Sequence, residues 1–377
     1  MRNRILTIVT FLAFAFPVLS CAAEPDCTNA DPGAKAAAWY VKDAQDVINL
    51  EKKCFNLFFL NRADHENLSS TERDEWIQNS LDASHGDSLF VLPIDNFLVL
   101  SWDHPNGMQA FVRKWGSHPK IYGFLLKDDV LTSPFPNKDQ ARDDALWVYR
   151  WYYRMIRNAG PDTQNGYNTD LAPGKKIIVT LGFDINGRNT VYKNCGPNGA
   201  AADCLFYMRS GYTNNVPPNF HMPGVAWDVV MAYWYPRRLG ITRVNEDYIM
   251  DTLYAQMRTL FPQPGVLIPI LQTAEEGPRL PSEEPYPLRE TSNPECVASP
   301  PSGCVEPEPY NLGLQYLKLV QHGLINSSNR IVTYYSANGH AQVYNNLLHW
   351  NGTPNATDTN VYYREAGMMN DYHLHSF

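Results

Sequence analysis

Positive charge is the scarcer sign in this 377-residue chain: 31 Lys and Arg stand against 39 Asp and Glu, a net charge of −8. Nucleic acid is therefore excluded as a partner, because holding a phosphate backbone takes a dense basic surface that displaces counterions. Long apolar runs are missing after Leu19. No later segment approaches the ~18 uninterrupted apolar residues of a spanning helix, so no membrane span is predicted there. No Cys-x-x-Cys pair and no paired-histidine spacing marks a zinc site, and no metal or cofactor is predicted. No G-x-G-x-x-G follows an apolar run, which removes the dinucleotide fingerprint. A serine nucleophile elbow and a phosphate loop are also absent, and no internal repeat or linker divides the chain.

What is present is an ordinary globular composition, 44% hydrophobic and 12% aromatic, with 22 Tyr, 16 Phe and 9 Trp. That rules out a disordered or collagen-like chain. A mostly neutral, polar partner suits this balance. The start reads as an export signal, residues 1–23. Arg2 and Arg4 are the basic region, Ile5 to Leu19 the apolar region, and Cys21-Ala22-Ala23 offers small residues for cleavage before Glu24. Loss of the two arginines would shift the net charge from −8 to −10. Val18-Leu19-Ser20-Cys21 also resembles a poor lipoprotein signal, which leaves a lipid anchor at Cys21 as an alternative. A secreted or periplasmic protein is predicted, most simply a monomer. Four Asn-x-Ser/Thr acceptor sites occur, at Asn67, Asn326, Asn351 and Asn355.

Six cysteines remain after the leader. Sequence order pairs Cys27 with Cys54, Cys195 with Cys204 and Cys296 with Cys304, one of fifteen possible pairings. An oxidising compartment lets such bridges persist.

Short apolar runs alternate with amphipathic stretches. The clear runs are Phe55–Leu60, Leu89–Leu100 (broken at Pro93), Ile121–Leu126, Ile177–Phe183, Val229–Tyr235, Val266–Leu271 and Ile331–Tyr335, with Ala38–Val41 a weaker candidate. Continuous rather than alternating apolar character predicts strands of a parallel sheet buried on both faces. Residues 139–158, 245–260 and 311–324 carry apolar residues at helical spacing. Eight strand–helix units predict a single (β/α)8 barrel, an α/β fold, over residues 24–377. Gly277 to Pro309 departs from this rhythm with nine prolines and the Cys296–Cys304 candidate. It reads as a stapled insertion after strand seven, either a wall of the catalytic cleft or a surface decoration.

In such a barrel the C-terminal ends of the strands converge on one pocket. Those ends carry Trp102, Asp103 and His104, then Asp128 and Asp129, then Asp184. Tyr233 and Tyr235, Gln272 with Glu275 and Glu276, and Tyr335 with Ser336 complete the ring. Paired carboxylates suit glycosidic cleavage, one protonating the leaving oxygen and the other acting as nucleophile or activating water. Aromatic faces suit the C–H faces of sugar rings. The plainer reading of any one of these acids is a helix cap at a strand–helix junction. Asp228 begins its strand and reads as structural; His373 and His375 read as an exposed tail.

The stretch from His118-Pro119 through Gly123-Phe124 to Asp128-Asp129 resembles that of secreted glycoside-hydrolase-like barrels. Trp227 to Pro236 is similar to their later Asp-hydrophobic…Tyr-Pro strand, Pro269 to Gln272 to their Pro…Gln strand, and Ile331 to Tyr335 to their aromatic eighth strand. The likeness covers roughly residues 105–340. It implies Asp129, or Asp128, as acid/base after strand four and Glu275, or Glu276, as its partner after strand seven. Asp184, Tyr233, Tyr235, Gln272, Tyr335, Trp102 and Asp103 would line the substrate. Asp129 stands where Glu is usual and is one methylene shorter. Two functions follow, a carbohydrate-cleaving hydrolase and a carbohydrate-binding barrel without catalysis.

Overall fold

A computed structural model describes residues 25, 27–28, 31–62, 68–94, 105–127, 149–158, 166–182, 227–233, 251, 254–255, 257–258, 267–272, 312–335, 337–338, 347–350, 353–357 and 359–376. Besides a short antiparallel pair at His349–Trp350 and Thr353–Pro354, eight strands run through them: β1 Lys35–Val41, β2 Leu57–Leu60, β3 Leu89–Pro93, β4 Ile121–Lys127, β5 Lys176–Gly182, β6 Val229–Tyr233, β7 Leu267–Gln272 and β8 Ile331–Tyr335. Each pairs in parallel with its neighbour in sequence, and β8 returns to β1 to close a (β/α)8 barrel. The weak candidate Ala38–Val41 is the end of β1. Phe55 is buried just ahead of β2 rather than within it.

Alternation along the strands builds two cores. Ala37, Trp39, Phe59, Leu125, Met231 and Ile270 fill the barrel interior. Their neighbours Ala38, Phe58, Phe124, Val230 and Leu271 turn outward beneath the helices. Strands buried on both faces need apolar residues at every position, which is why they read as continuous runs. At Gly123 only glycine fits, because a Cβ there would lie 2.2 Å from the Lys176 carbonyl oxygen across the β4–β5 pairing.

The described helices are α1 Ala44–Glu51, α2 Ser70–Ala83, α3 Pro105–Gly116, α4 Leu312–Gln321 and α5 Val361–His375. Residues 149–157 are also helical, inside the predicted 139–158 stretch. Their starts follow local chemistry. Asp43 accepts hydrogen bonds from the N–H groups of Gln45 and Asp46 at the head of α1. Ser69 and Glu72 form a reciprocal capping box on α2. Among the described residues no helix is long and apolar enough to cross a membrane.

The N-terminal face, or base, of the barrel is closely bonded. Asp228, just ahead of β6, accepts from the Tyr153 hydroxyl at 2.7 Å, the Arg157 guanidinium at 2.5 Å and the Ile177 N–H at 2.8 Å. The His118-Pro119 turn that opens the β4 motif lies here too. The Lys175 ammonium donates to the carbonyls of His118 and Ile121 at 3.0 and 2.6 Å. Cys27 and Cys54 are bridged, with Cα atoms 5.1 Å apart.

The C-terminal residues correct the sequence reading. They form α5 rather than a tail, and His373 is fully buried, between the Tyr316 hydroxyl at 2.9 Å and the Arg330 carbonyl at 3.1 Å. Burial pulls its ring down to about 4, so it is neutral at ordinary pH. The helix was hard to read because its buried face includes polar side chains satisfied by backbone. Asn370 donates to the Lys53 carbonyl at 2.8 Å. His375 is exposed, as a tail residue would be.

Candidate functional site

The opposite face, where the strands end, holds the residues singled out from the sequence that fall within the described region. Tyr233, Gln272 and Tyr335 are the last residues of β6, β7 and β8. The register sets Gly182 beside Tyr233, Tyr233 beside Ile270, and Gln272 beside Tyr335, so β5 and β6 end level while β7 and β8 end together two residues further on. β4 ends at Lys127, immediately before Asp128 and Asp129. Asp128, Asp129, Asp184, Tyr235, Glu275, Glu276, Trp102 and Asp103 lie outside the described residues, as do Cys195, Cys204, Cys296, Cys304 and the 277–309 insertion.

The best-defined part of the mouth is the seam between β8, β1 and β2, and the sequence reading missed most of it. Strict alternation would send one of Trp39 and Tyr40 outward. Instead both join the interior cluster, with Tyr335 beside them. The cause is the backbone of Tyr40, at φ 59°, in the left-handed region that a non-glycine residue adopts only at a cost of about 1–2 kcal/mol. The pairing of β1 with β2 slips there, between Ala38 and Val41. Tyr40 then meets the Tyr335 ring edge-on at 5.6 Å, and Trp39 lies against Phe59 at 4.6 Å. A strained aromatic at a strand end is the kind of position that surrounding contacts must enforce, and such positions cluster at functional sites.

The enforcing contacts are visible. The Asn338 amide donates to the Tyr40 carbonyl at 3.2 Å and to the Asp46 carboxylate. Asp46 also accepts from the Lys42 N–H at 2.8 Å. The Trp76 indole donates to the Lys42 carbonyl at 2.6 Å, and the Ala337 N–H to the Trp39 carbonyl at 2.7 Å. The turn after β1 is thus held from α1, α2 and the segment after β8 at once. Burial pushes the Asp46 carboxyl up to about 6. The Lys42 N–H, the Asn338 amide and the Lys42 charge oppose that rise, and nearby Asp43 adds to it. The sequence reading did not single out Asp46. Asp43 caps α1, while Asp46 turns back to brace the mouth.

The mouth therefore carries, on its β8–β1 side, the half-buried rings of Tyr40 and Tyr335 over a buried layer of Trp39 and Phe59, braced by one partly buried carboxylate. Half-buried tyrosine rings can stack against apolar ring faces. Among the described residues no group of three or more His, Cys, Asp or Glu is placed to hold a metal ion.

No family model matches the chain, and no curated protein matches it. Solved structures do. They include a GH18 chitinase from Pseudoalteromonas aurantia, 10% identical over 81% of this chain and 96% of that one, with a TM-score of 0.40. A glucosidase from Croceicoccus marinus is 8% identical over 89% and 66%, with a TM-score of 0.41. A D-psicose 3-epimerase is 12% identical over 90% and 99%, with a TM-score of 0.43. At these scores the matches carry no argument about activity, and the barrel rests on its own strand pairing.

Proposed function

We propose that this chain is an exported, monomeric glycoside hydrolase that cleaves a polysaccharide or oligosaccharide with a carboxylate pair at the barrel mouth. The observation that carries the reading is the pair of half-buried tyrosines, Tyr40 and Tyr335, seated on the buried Trp39 and Phe59 at the C-terminal end of a closed eight-stranded barrel. In this reading Asp129 is the general acid and Glu275 its partner, with Asp128 and Glu276 as neighbours. Asp184, Tyr233, Tyr235, Gln272, Tyr335, Trp102 and Asp103 line the sugar subsites.

Asp129 protonates the departing glycosidic oxygen, while Glu275 attacks the anomeric carbon or activates a water. A separation of about 5–5.5 Å between the carboxyls corresponds to retention, and about 6.5–9.5 Å to inversion. The general acid must keep its proton near neutral pH, which an adjacent acid such as Asp128 favours. Cleavage is read as release of reducing ends from a panel of polysaccharides. Asp129→Asn is expected to lower turnover at least about a hundredfold, the usual scale for a positioned acid, with unfolding unchanged. Full activity in both Asp129→Asn and Glu275→Gln would defeat the assignment. Oligosaccharide binding at the mouth without cleavage would make the protein a carbohydrate-binding barrel instead.

A further inference from the structure

The base of the barrel contains a second recess, far from the mouth. It is a cavity of about 550 Å³ bounded by the start of β1, the end of α1, the α2–β3 loop, the segment around Asp31 and the end of α5. That size falls within the range of small-molecule sites, about 300–1,000 Å³. Lys35 at the recess and Tyr40 at the mouth are five residues apart on β1, at about 3.3 Å each, so about 17 Å separates the recess from the aromatic rings.

The polar groups around it are not equivalent. Glu51 is fully engaged, accepting from the His85 N–H at 2.9 Å, the Ser88 hydroxyl at 2.6 Å and the His85 ring at 2.7 Å. Asp31 is held by Arg330 and by the Gly33 N–H at 2.7 Å. Two groups are not engaged. Lys35 is only 8% exposed and lines the recess, yet its ammonium has no hydrogen-bond or ion-pair partner among the described residues. Asp87, also on the lining, is exposed and equally without a hydrogen-bond or ion-pair partner there.

The Lys35 ammonium is met by the solvent of the recess rather than by a protein acceptor, so an incoming carboxylate finds it uncommitted. The field around Lys35 favours its charged form only through the more distant Asp87 and Asp31, while burial pulls its pKa down. One uncommitted cation and one uncommitted anion on the lining of a cavity with Ile48, Phe55 and Leu374 on its walls define a complement. We propose that this basal recess binds a small zwitterion, an apolar amino acid or dipeptide, with its carboxylate on Lys35 and its ammonium toward Asp87.

Calorimetric titration of the full chain with L-leucine and L-leucyl-L-leucine tests this, with 4-methylpentanoate, which is leucine without its ammonium, as control. Leucine or the dipeptide is expected to bind, and 4-methylpentanoate to bind at least about tenfold more weakly, the scale of a lost charged hydrogen bond. Lys35→Met is expected to abolish binding, and Asp87→Asn to weaken it about tenfold. Asp87 is exposed, so its variant remains informative should Lys35→Met not fold. The proposal is overturned if neither ligand binds at millimolar concentration. It is equally overturned if 4-methylpentanoate matches leucine, if Lys35→Met folds and binds unchanged, or if Asp87→Asn binds unchanged. Reducing-end release does not enter these measurements, so they stand apart from the reading of the mouth.

Discussion

At the base of the barrel, Asp228 meets three donors at once, Cys27 and Cys54 tie the N-terminal segment to the end of α1, and α5 closes over β1. At the mouth, the described chain is held through a single seam, where Asn338 and Asp46 keep Tyr40 in a conformation its side chain disfavours. The base spends its polar groups on satisfying backbone and on one another. The mouth uses them to hold Tyr40 in place beside Tyr335. The contrast follows the usual division of this architecture, in which the N-terminal face serves stability and the C-terminal face serves chemistry. The basal recess is the exception, because there Lys35 and Asp87 are left uncommitted.

The largest effect that would separate the two ends is expected at Asp228. Asp228→Ala strands the largely buried Arg157 and the Tyr153 hydroxyl, and should cost about 3–5 kcal/mol in urea unfolding. If that variant unfolds at the wild-type midpoint, the base is not the stabilising end. Replacing Cys27 and Cys54 together by serine should cost about 3 kcal/mol, from the entropy of a loop closed over 27 residues. The expected signature is a lowered unfolding midpoint with ligand binding at the mouth unchanged in the folded protein.

Asp46 gives the mouth a pH dependence of its own. Its folded pKa is raised, from 3.8 to about 6, so the folded state holds the proton more tightly than the unfolded state. The stability linked to it is complete below about pH 4 and is lost as pH rises through about 6. Asp46→Asn should remove that decline, worth of order 3 kcal/mol, and flatten the stability curve between those limits. An unchanged slope would mean that Asp46 is not the titrating brace. The smallest expected effect is at Tyr40. Tyr40→Gly relieves about 1 kcal/mol of backbone strain and removes one of the half-buried rings. Stability should hold within about 1 kcal/mol while affinity for any bound saccharide falls, and loss of both together would reduce Tyr40 to a packing residue.

The barrel was legible in the sequence because its strands are buried on both faces, so each announced itself as an apolar run between helical stretches. Even the weak run at Ala38–Val41 is the end of a strand, and Asp228 was read as structural from its place ahead of β6. The Cys27–Cys54 bridge also followed from cysteine order. Sequence alone could not show that Trp39 and Tyr40 face the same way. That depends on a left-handed residue, and its causes are Asn338 and Tyr335, about 300 positions away in the chain. Nor could it show that His373 is buried and neutral, because that follows from the docking of α5 against Tyr316 and Arg330. Apolar patterning is a local property and survives in one dimension. Strand parity at a bulge, the partner of a buried polar group and the isolation of Lys35 depend on residues that only the closed barrel brings together.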